Sequence, residues 1–207
     1  MKPVMFFDFD DMLMETREAS IDYIRFRYKV AFPEEAYLCG NSLWQILSEL
    51  LPAGEKLEKD NFYLDWRDNF LTSIDRHQKA KPVAGAVEVV PALSAQFDLW
   101  VVTARQEASK PVVLELCRRF FGQHITGVHF VWRGGDESKS WVSVPKKDFI
   151  ANFPGESVAF FDDNPGEIME TQGVVSAYLF DQTGIHASVQ GINNRVKSWE
   201  EIGQLFL

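Results

Sequence analysis

Short apolar runs that stop abruptly at polar residues alternate along the chain with stretches whose apolar residues return every three or four positions. The runs are Val4–Phe7, Phe97–Val102, Val128–Trp132, Val158–Phe161 and Ser176–Phe180. Being apolar toward both faces, they predict strands of a buried parallel sheet rather than half-exposed antiparallel ones. Between them, Ala108–Phe121 places Val112, Val113, Leu116, Cys117, Phe120 and Phe121 on one side of a helix, with Pro111 tolerated in its first turn. Strands alternating with helices imply right-handed βαβ units and a Rossmann-like, doubly wound α/β fold.

Residues 16–79 break this rhythm. Their patterns are helical throughout: Ile21/Ile24/Tyr28, then Leu43/Ile46/Leu47/Leu50, then Tyr63/Trp66/Phe70/Ile74. Pro33, Pro52-Ala53-Gly54 and the polar stretch before Pro82 punctuate them. The pattern predicts a helical cap over 16–79, inserted into an α/β core formed by 1–15 and 80–207. Trp44, Trp66 and the other aromatic residues of the insertion are expected to pack its own core.

Composition narrows the function. A chain of 207 residues holds one full α/β core plus an insertion, and 46% hydrophobic with 25% charged residues is ordinary for a globular protein. The net charge of −9, from 30 acids against 21 Lys and Arg, argues against a nucleic-acid polymer as partner. Small phosphorylated metabolites remain open to it. No apolar run is long enough to span a bilayer. The apolar part of Met1–Phe7 is too short for a signal peptide and reads as the first strand. Cys39 and Cys117 lie in separate amphipathic segments without metal-ligand spacing, which suggests reduced thiols and a cytoplasmic setting. The four histidines show no metal spacing, Gly134-Gly135 reads as a loop, and no dinucleotide fingerprint or P-loop lysine occurs.

In open α/β sheets the ligand sits beyond the carboxyl ends of the strands. There the first run leads into Asp8-Phe9-Asp10-Asp11, the second into Thr103-Ala104-Arg105, and the fourth into Asp162-Asp163-Asn164-Pro165. Lys146-Lys147 opens the helix before that fourth strand. Acids converging on one crevice repel unless a hard cation joins them, and Mg²⁺ suits carboxylate and carbonyl oxygens. Such a set holds the parts of phosphoryl transfer: an attacking carboxylate, a second carboxylate for proton exchange, and a metal, lysine and hydroxyl for the equatorial oxygens.

These residues also resemble a known family. Phe6-Phe7-Asp8-Phe9-Asp10-Asp11-Met12-Leu13 is similar to the first motif of the haloacid dehalogenase-like phosphohydrolases, Val101-Val102-Thr103-Ala104-Arg105 to the second, and Phe160-Phe161-Asp162-Asp163-Asn164-Pro165 to the acidic fourth. Lys146 falls where the third-motif lysine is expected, and Pro82-Val83-Ala84-Gly85 resembles the lead-in to the second motif. The resemblance covers the core, and the insertion occupies the place of the family's cap. It implies that Asp8 is the nucleophile and a metal ligand, and that Asp10 is the general acid/base and lends its carbonyl to the metal. It further implies that Thr103 and Lys146 hold the phosphoryl oxygens, and that Asp163 binds Mg²⁺ with Asp162 as ligand or support. Met12 departs from the usual Thr or Val, a change expected to affect support of the loop rather than the chemistry. Leu179-Phe180-Asp181-Gln182 and Asn194–Ile202, with its Trp199-Glu200-Glu201-Ile202, also resemble the 5′-deoxyribonucleotidase-like branch, which implies a (deoxy)nucleoside monophosphate among the possible substrates.

Each residue also has a plainer role. Thr103 with Gln106 makes a capping box for the next helix. Lys147 competes with Lys146, although Phe149, Ile150 and Phe153, at three, four and seven positions beyond Lys146, favour Lys146 on the inward face. Glu167 either supports the metal or completes a helix start with Asn164 and Pro165. Arg105 is a candidate contact for the phosphate or substrate, with an arginine in a solvated loop as the default reading. The function expected is Mg²⁺-dependent hydrolysis of a phosphate monoester through an aspartyl-phosphate. The alternatives are a phosphotransferase of the same superfamily and a non-enzymatic phosphoacceptor that signals.

Overall fold

The computed structural model describes residues 2–33, 43–52, 54–131 and 144–207. Cys39, Gly134-Gly135, Ala53 and the end of the third apolar run at Trp132 lie outside the described residues.

Six strands form one parallel sheet: β1 (Val4–Phe7), β4 (Asp98–Thr103), β5 (Gly127–Phe130), β6 (Ser157–Asp162), β7 (Ser176–Phe180) and β8 (Asn194–Val196). Their order is β5-β4-β1-β6-β7-β8. The chain thus builds outward from β1 to one edge, returns, and builds to the other, as expected of a doubly wound sheet. All four residues of β1 are buried, which is why its sequence is apolar without alternation. β8, only three residues with the polar Asn194 and Arg195, is an edge strand that carries no apolar signal.

The two faces of β1 feed two layers. Met5 and Phe7 join a cluster with Val90 and Leu93 of α4 (Ala86–Ser94), Leu116 and Cys117 of α5 (Lys110–Phe121), and Trp199 and Ile202 of α8 (Trp199–Phe206). Val4 and Phe6 join Ile150 of α6 (Lys146–Ala151) and Ile168 of α7 (Pro165–Thr171) on the other side. The α5 pattern begins two residues later than its periodicity suggests, because Glu107–Ser109 form a separate 3₁₀ turn.

The described part of 16–79 is helical. It contains α1 (Arg17–Tyr28), α2 (Leu43–Leu50) and α3 (Lys59–Asp65), then a π-helical stretch Trp66–Leu71 and a 3₁₀ turn Ile74–His77. The single run read from Tyr63 to Ile74 is therefore three pieces. Ile21, Ile24, Ile46, Leu47 and Phe62 pack together, with Trp44 and Trp66 against them. Where the chain enters and leaves this stretch, β2 (Met14–Glu15) pairs antiparallel with β3 (Lys81–Pro82). No described helix is long and apolar enough to cross a membrane.

Candidate active site

The site stands at the carboxyl ends of the three central strands. The Asp8 N–H donates to Phe161 O at 2.9 Å, and the Val131 N–H donates to Thr103 O at 2.7 Å. Asp8 and Thr103 therefore sit where the sheet ends and the loops diverge. Asp162 closes β6, and Lys146 comes from the start of α6.

Lys146 is 2% exposed, and its Nζ donates to Asp8 Oδ1 at 2.5 Å and to Asp162 Oδ2 at 2.7 Å. Burial alone lowers a lysine's pKa, but Asp162 and Asp8 outweigh it and hold Lys146 firmly protonated. Lys147 is exposed, so the inward-facing lysine is the one the helical pattern favours. The second oxygen of Asp162 accepts the Asn164 N–H at 2.8 Å, which fixes both ends of that carboxylate.

Asp8, Asp162 and Asp163 each offer an oxygen, and those oxygens lie within 4.8 Å of one another. Burial pushes the Asp8 carboxyl up to about 7, against the pull of Lys146, and Asp162 and Asp10 add to the rise. Burial raises Asp163 well above the ordinary range, reinforced by Asp162, Asp8 and Asp11. Asp162 also moves up through burial, against Lys146. One lysine is too little counter-charge for three clustered acids, of which Asp8 and Asp162 are buried and Asp163 is half-buried. An all-oxygen donor set with unbalanced negative charge fits a hard divalent cation such as Mg²⁺. Asp8 and Asp163 are the freer ligands, since both oxygens of Asp162 already accept hydrogen bonds.

Asp10 is held differently. Arg105 grips both its oxygens, Nε to Oδ2 at 2.8 Å and Nη2 to Oδ1 at 2.7 Å, while Thr16 Oγ1 donates to Oδ1 at 2.6 Å. Burial would raise this carboxyl, but Arg105 and the Thr16 hydroxyl overcome it and hold it below the usual range. The Asp10 side chain still keeps 36% exposure, so its oxygens remain reachable. Thr16 is the N-cap of α1, yet its side chain makes no cap bond and its hydroxyl donates to Asp10 instead.

Two plain readings of the second motif are corrected here. Arg105 is 3% exposed and bound to Asp10, not a solvated loop residue. Thr103 and Gln106 do not form a capping box. Thr103 Oγ1 accepts the Arg105 N–H at 3.2 Å, and Gln106 Nε2 donates to Arg67 O at 3.2 Å. With a lone pair occupied, the buried Thr103 hydroxyl keeps its proton to donate.

The helix start at Asn164 forms as read, with Asn164 Oδ1 accepting the Gly166 N–H at 2.8 Å. Glu167 is 3% exposed and near enough to Asp162 to raise its pKa, so it faces the acid cluster as well as opening α7.

Asp11 takes a left-handed backbone conformation (φ 53) and turns the first loop. Its N–H donates to Met14 O at 2.7 Å, and burial pushes its carboxyl up to about 6. The neighbouring Met12 is fully buried, and its carbonyl accepts the indole N–H of Trp199 at 2.9 Å. Trp199 also stacks on Phe7 at 5.2 Å. The C-terminal Trp-Glu-Glu-Ile run thus braces the loop after β1. Its Glu201 and Ser198 cap α8 reciprocally, through the Lys197 and Glu201 N–H groups.

The topology matches that of solved structures along nearly the whole chain. The chain has the haloacid dehalogenase-like fold. A protein assigned as a phosphoglycolate phosphatase from Lactobacillus delbrueckii subsp. bulgaricus superimposes with TM-score 0.71 at 13% identity, covering 100% of this chain and 99% of that one. YfnB of Bacillus subtilis, assigned as a haloacid dehalogenase-like hydrolase and bound to magnesium, gives 0.64 at 13% identity, covering 99% and 98%. The L-2-haloacid dehalogenase of Xanthobacter autotrophicus, with chloropropionic acid covalently bound, gives 0.59 at 12% identity, covering 99% and 98%. No family model matches the sequence and no curated protein matches it. The haloacid dehalogenase-like fold is thus carried here by a sequence far from those of its structural neighbours.

Proposed function

We propose that the chain is a Mg²⁺-dependent phosphomonoester hydrolase that works through a phosphorylated Asp8 on a small phosphorylated metabolite. The observation that carries this reading is the buried Lys146 bridging Asp8 and Asp162 beside a third acid, Asp163. Phosphoryl transfer needs that combination of cation, metal ligands and a carboxylate with one oxygen to spare. A dehalogenase, as one neighbour is, has no need of three clustered acids and a second loop carboxylate.

In the first half of the reaction an oxygen of Asp8 forms a bond to phosphorus, and the ester oxygen leaves with the bonding pair and takes a proton through Asp10. Arg105 and Thr16 keep Asp10 ionised in the free protein, and it takes that proton from the monoprotonated phosphate ester. In the second half water attacks phosphorus, gives its proton to Asp10, and the Asp8–phosphorus bond breaks with its electron pair returning to the carboxylate. Thr103 Oγ and Lys146 Nζ donate to the transferring oxygens. Asp8, Asp163 and the Asp10 carbonyl, with Asp162 as ligand or support, would hold Mg²⁺, which would supply charge neutralisation on the same group. The residues of 16–79 contribute Thr16 directly and are read as a cap that selects the substrate. Nucleoside monophosphates and short-chain acid phosphates are both candidates, the second suggested by the phosphoglycolate phosphatase neighbour.

The test is phosphate release from a panel of nucleoside monophosphates, sugar phosphates, phosphoglycolate and an aryl phosphate. Wild type and Asp8→Asn are compared, each with Mg²⁺ and with EDTA. Metal-dependent release that disappears in Asp8→Asn is expected. A phosphorylated Asp8 that persists without release points instead to a signalling phosphoacceptor.

A further inference from the structure

We propose that Arg105, braced by His77, is a positioning residue that fixes the plane and direction of the Asp10 carboxylate for its proton exchanges. This rests on the proposed hydrolytic role of Asp10. The geometry is a chain of directed bonds. Ser73 O can only accept, and it faces His77 Nδ1 at 2.9 Å, so that nitrogen carries the proton. His77 Nε2 is then an acceptor, 3.1 Å from Arg105 Nη2. The same Nη2, with Nε, donates to the two oxygens of Asp10. A planar guanidinium held this way sets the plane of the carboxylate it forks, which an ammonium could not do. Stacking fixes both supports: the guanidinium carbon lies 4.9 Å from the centre of the Phe9 ring, and His77 stacks on Phe70 at 4.5 Å.

A purely structural role accounts for this poorly. The third guanidinium nitrogen, Nη1, is buried and has no hydrogen-bond partner among the described residues. An arginine buried for stability alone is seldom left so, and apolar replacements of buried ion pairs are often as stable. What this arginine specifically provides is the fixed direction of a carboxylate that stays 36% exposed at the mouth of the site.

The test is a double-mutant cycle on steady-state phosphate release, with thermal unfolding to confirm folding. Arg105→Lys keeps the charge and loses the fork. It is expected to lower kcat about 10- to 100-fold, the scale of a misdirected proton-transfer group, with KM within about twofold. In an Asp10→Asn background the same substitution is expected to change kcat by less than about threefold, because the group it positions is gone. His77→Gln is expected to show a smaller loss of kcat that also vanishes in that background, and it carries the test if Arg105→Lys does not fold. A loss that stays the same size in Asp10→Asn, or one that appears only in KM, overturns the positioning role while leaving the hydrolase reading intact. A wild type with no turnover on any substrate overturns both.

Discussion

Lys146 Nζ and Asp8 Oδ1 meet at 2.5 Å, although 138 positions separate them along the chain. The contact joins the first strand's loop to the start of α6, and the same ammonium reaches Asp162. It is the only cation the described residues place between two of the three clustered acids.

Lys146→Met should therefore be costly twice over. Two buried carboxylates lose their counter-charge, a change of about 3–5 kcal/mol when one partner of a buried pair is removed. Turnover should fall by about 100-fold or more, as when one electrostatic donor to a developing charge is lost. Lys147→Met, at an exposed position, should stay within about 0.5 kcal/mol of wild type. Urea unfolding and phosphate release on the two variants measure both effects.

The acid cluster predicts effects of opposite sign with and without metal. Without divalent cation, Asp163→Asn removes one of three clustered, mutually repelling acids and should raise Tm. Mg²⁺ should raise the Tm of wild type through ligand linkage and have little effect on Asp163→Asn. Thermal scans with Mg²⁺ and with EDTA decide this, and a variant stabilised by Mg²⁺ as much as wild type would remove Asp163 from the ligand set.

Trp199 offers a test of loop support away from the chemistry. Trp199→Phe keeps an aromatic ring beside Phe7 but leaves the buried Met12 carbonyl without its donor, which should cost about 1–3 kcal/mol. The loss should appear as a lower urea midpoint at unchanged slope.

His77 gives the pH dependence. Burial, helped by Arg105, pushes its pKa down from 6.5 to about 4. Between those values the unfolded chain binds a proton that the folded chain does not, so this group's contribution to stability falls as pH drops from 6.5 toward 4. The full span corresponds to roughly 3 kcal/mol. In His77→Phe, which can keep the stack on Phe70, the loss over that window should shrink by about that amount. Unfolding free energies at several pH values, compared as slopes, measure it.

The sheet was legible in the sequence because buried parallel strands leave a signal that needs no partner: Val4–Phe7 and Ser176–Phe180 are apolar runs bounded by polar residues. β8 was not, because an edge strand of Asn194, Arg195 and Val196 buries too little to be apolar. The candidate site was legible where apolar strands end abruptly in polar residues, at the acids Asp8, Asp10, Asp162 and Asp163 and the hydroxyl of Thr103. The inward face of α6 separated Lys146 from Lys147. Thr16, His77 and the true setting of Arg105 left no such trace. Thr16 looks like any N-cap, His77 like any histidine in a polar stretch, and the bonds that link them through Asp10 and Arg105 span 6, 95 and 28 positions. The Trp199–Ile202 run, part of the resemblance to a nucleotidase branch, also holds structural positions, in the brace of Trp199 and the cap of Ser198 and Glu201.

The central claim is that Asp8 carries the phosphoryl group, and the most direct measurement is acid quenching of the enzyme during turnover of its best substrate, followed by peptide mapping. The account predicts one added phosphoryl mass on the peptide containing Asp8, appearing before free phosphate and decaying at the rate of turnover, and no such mass in Asp8→Asn. Phosphate release with no phosphorylated peptide at any time, or with the label on another residue, would contradict it.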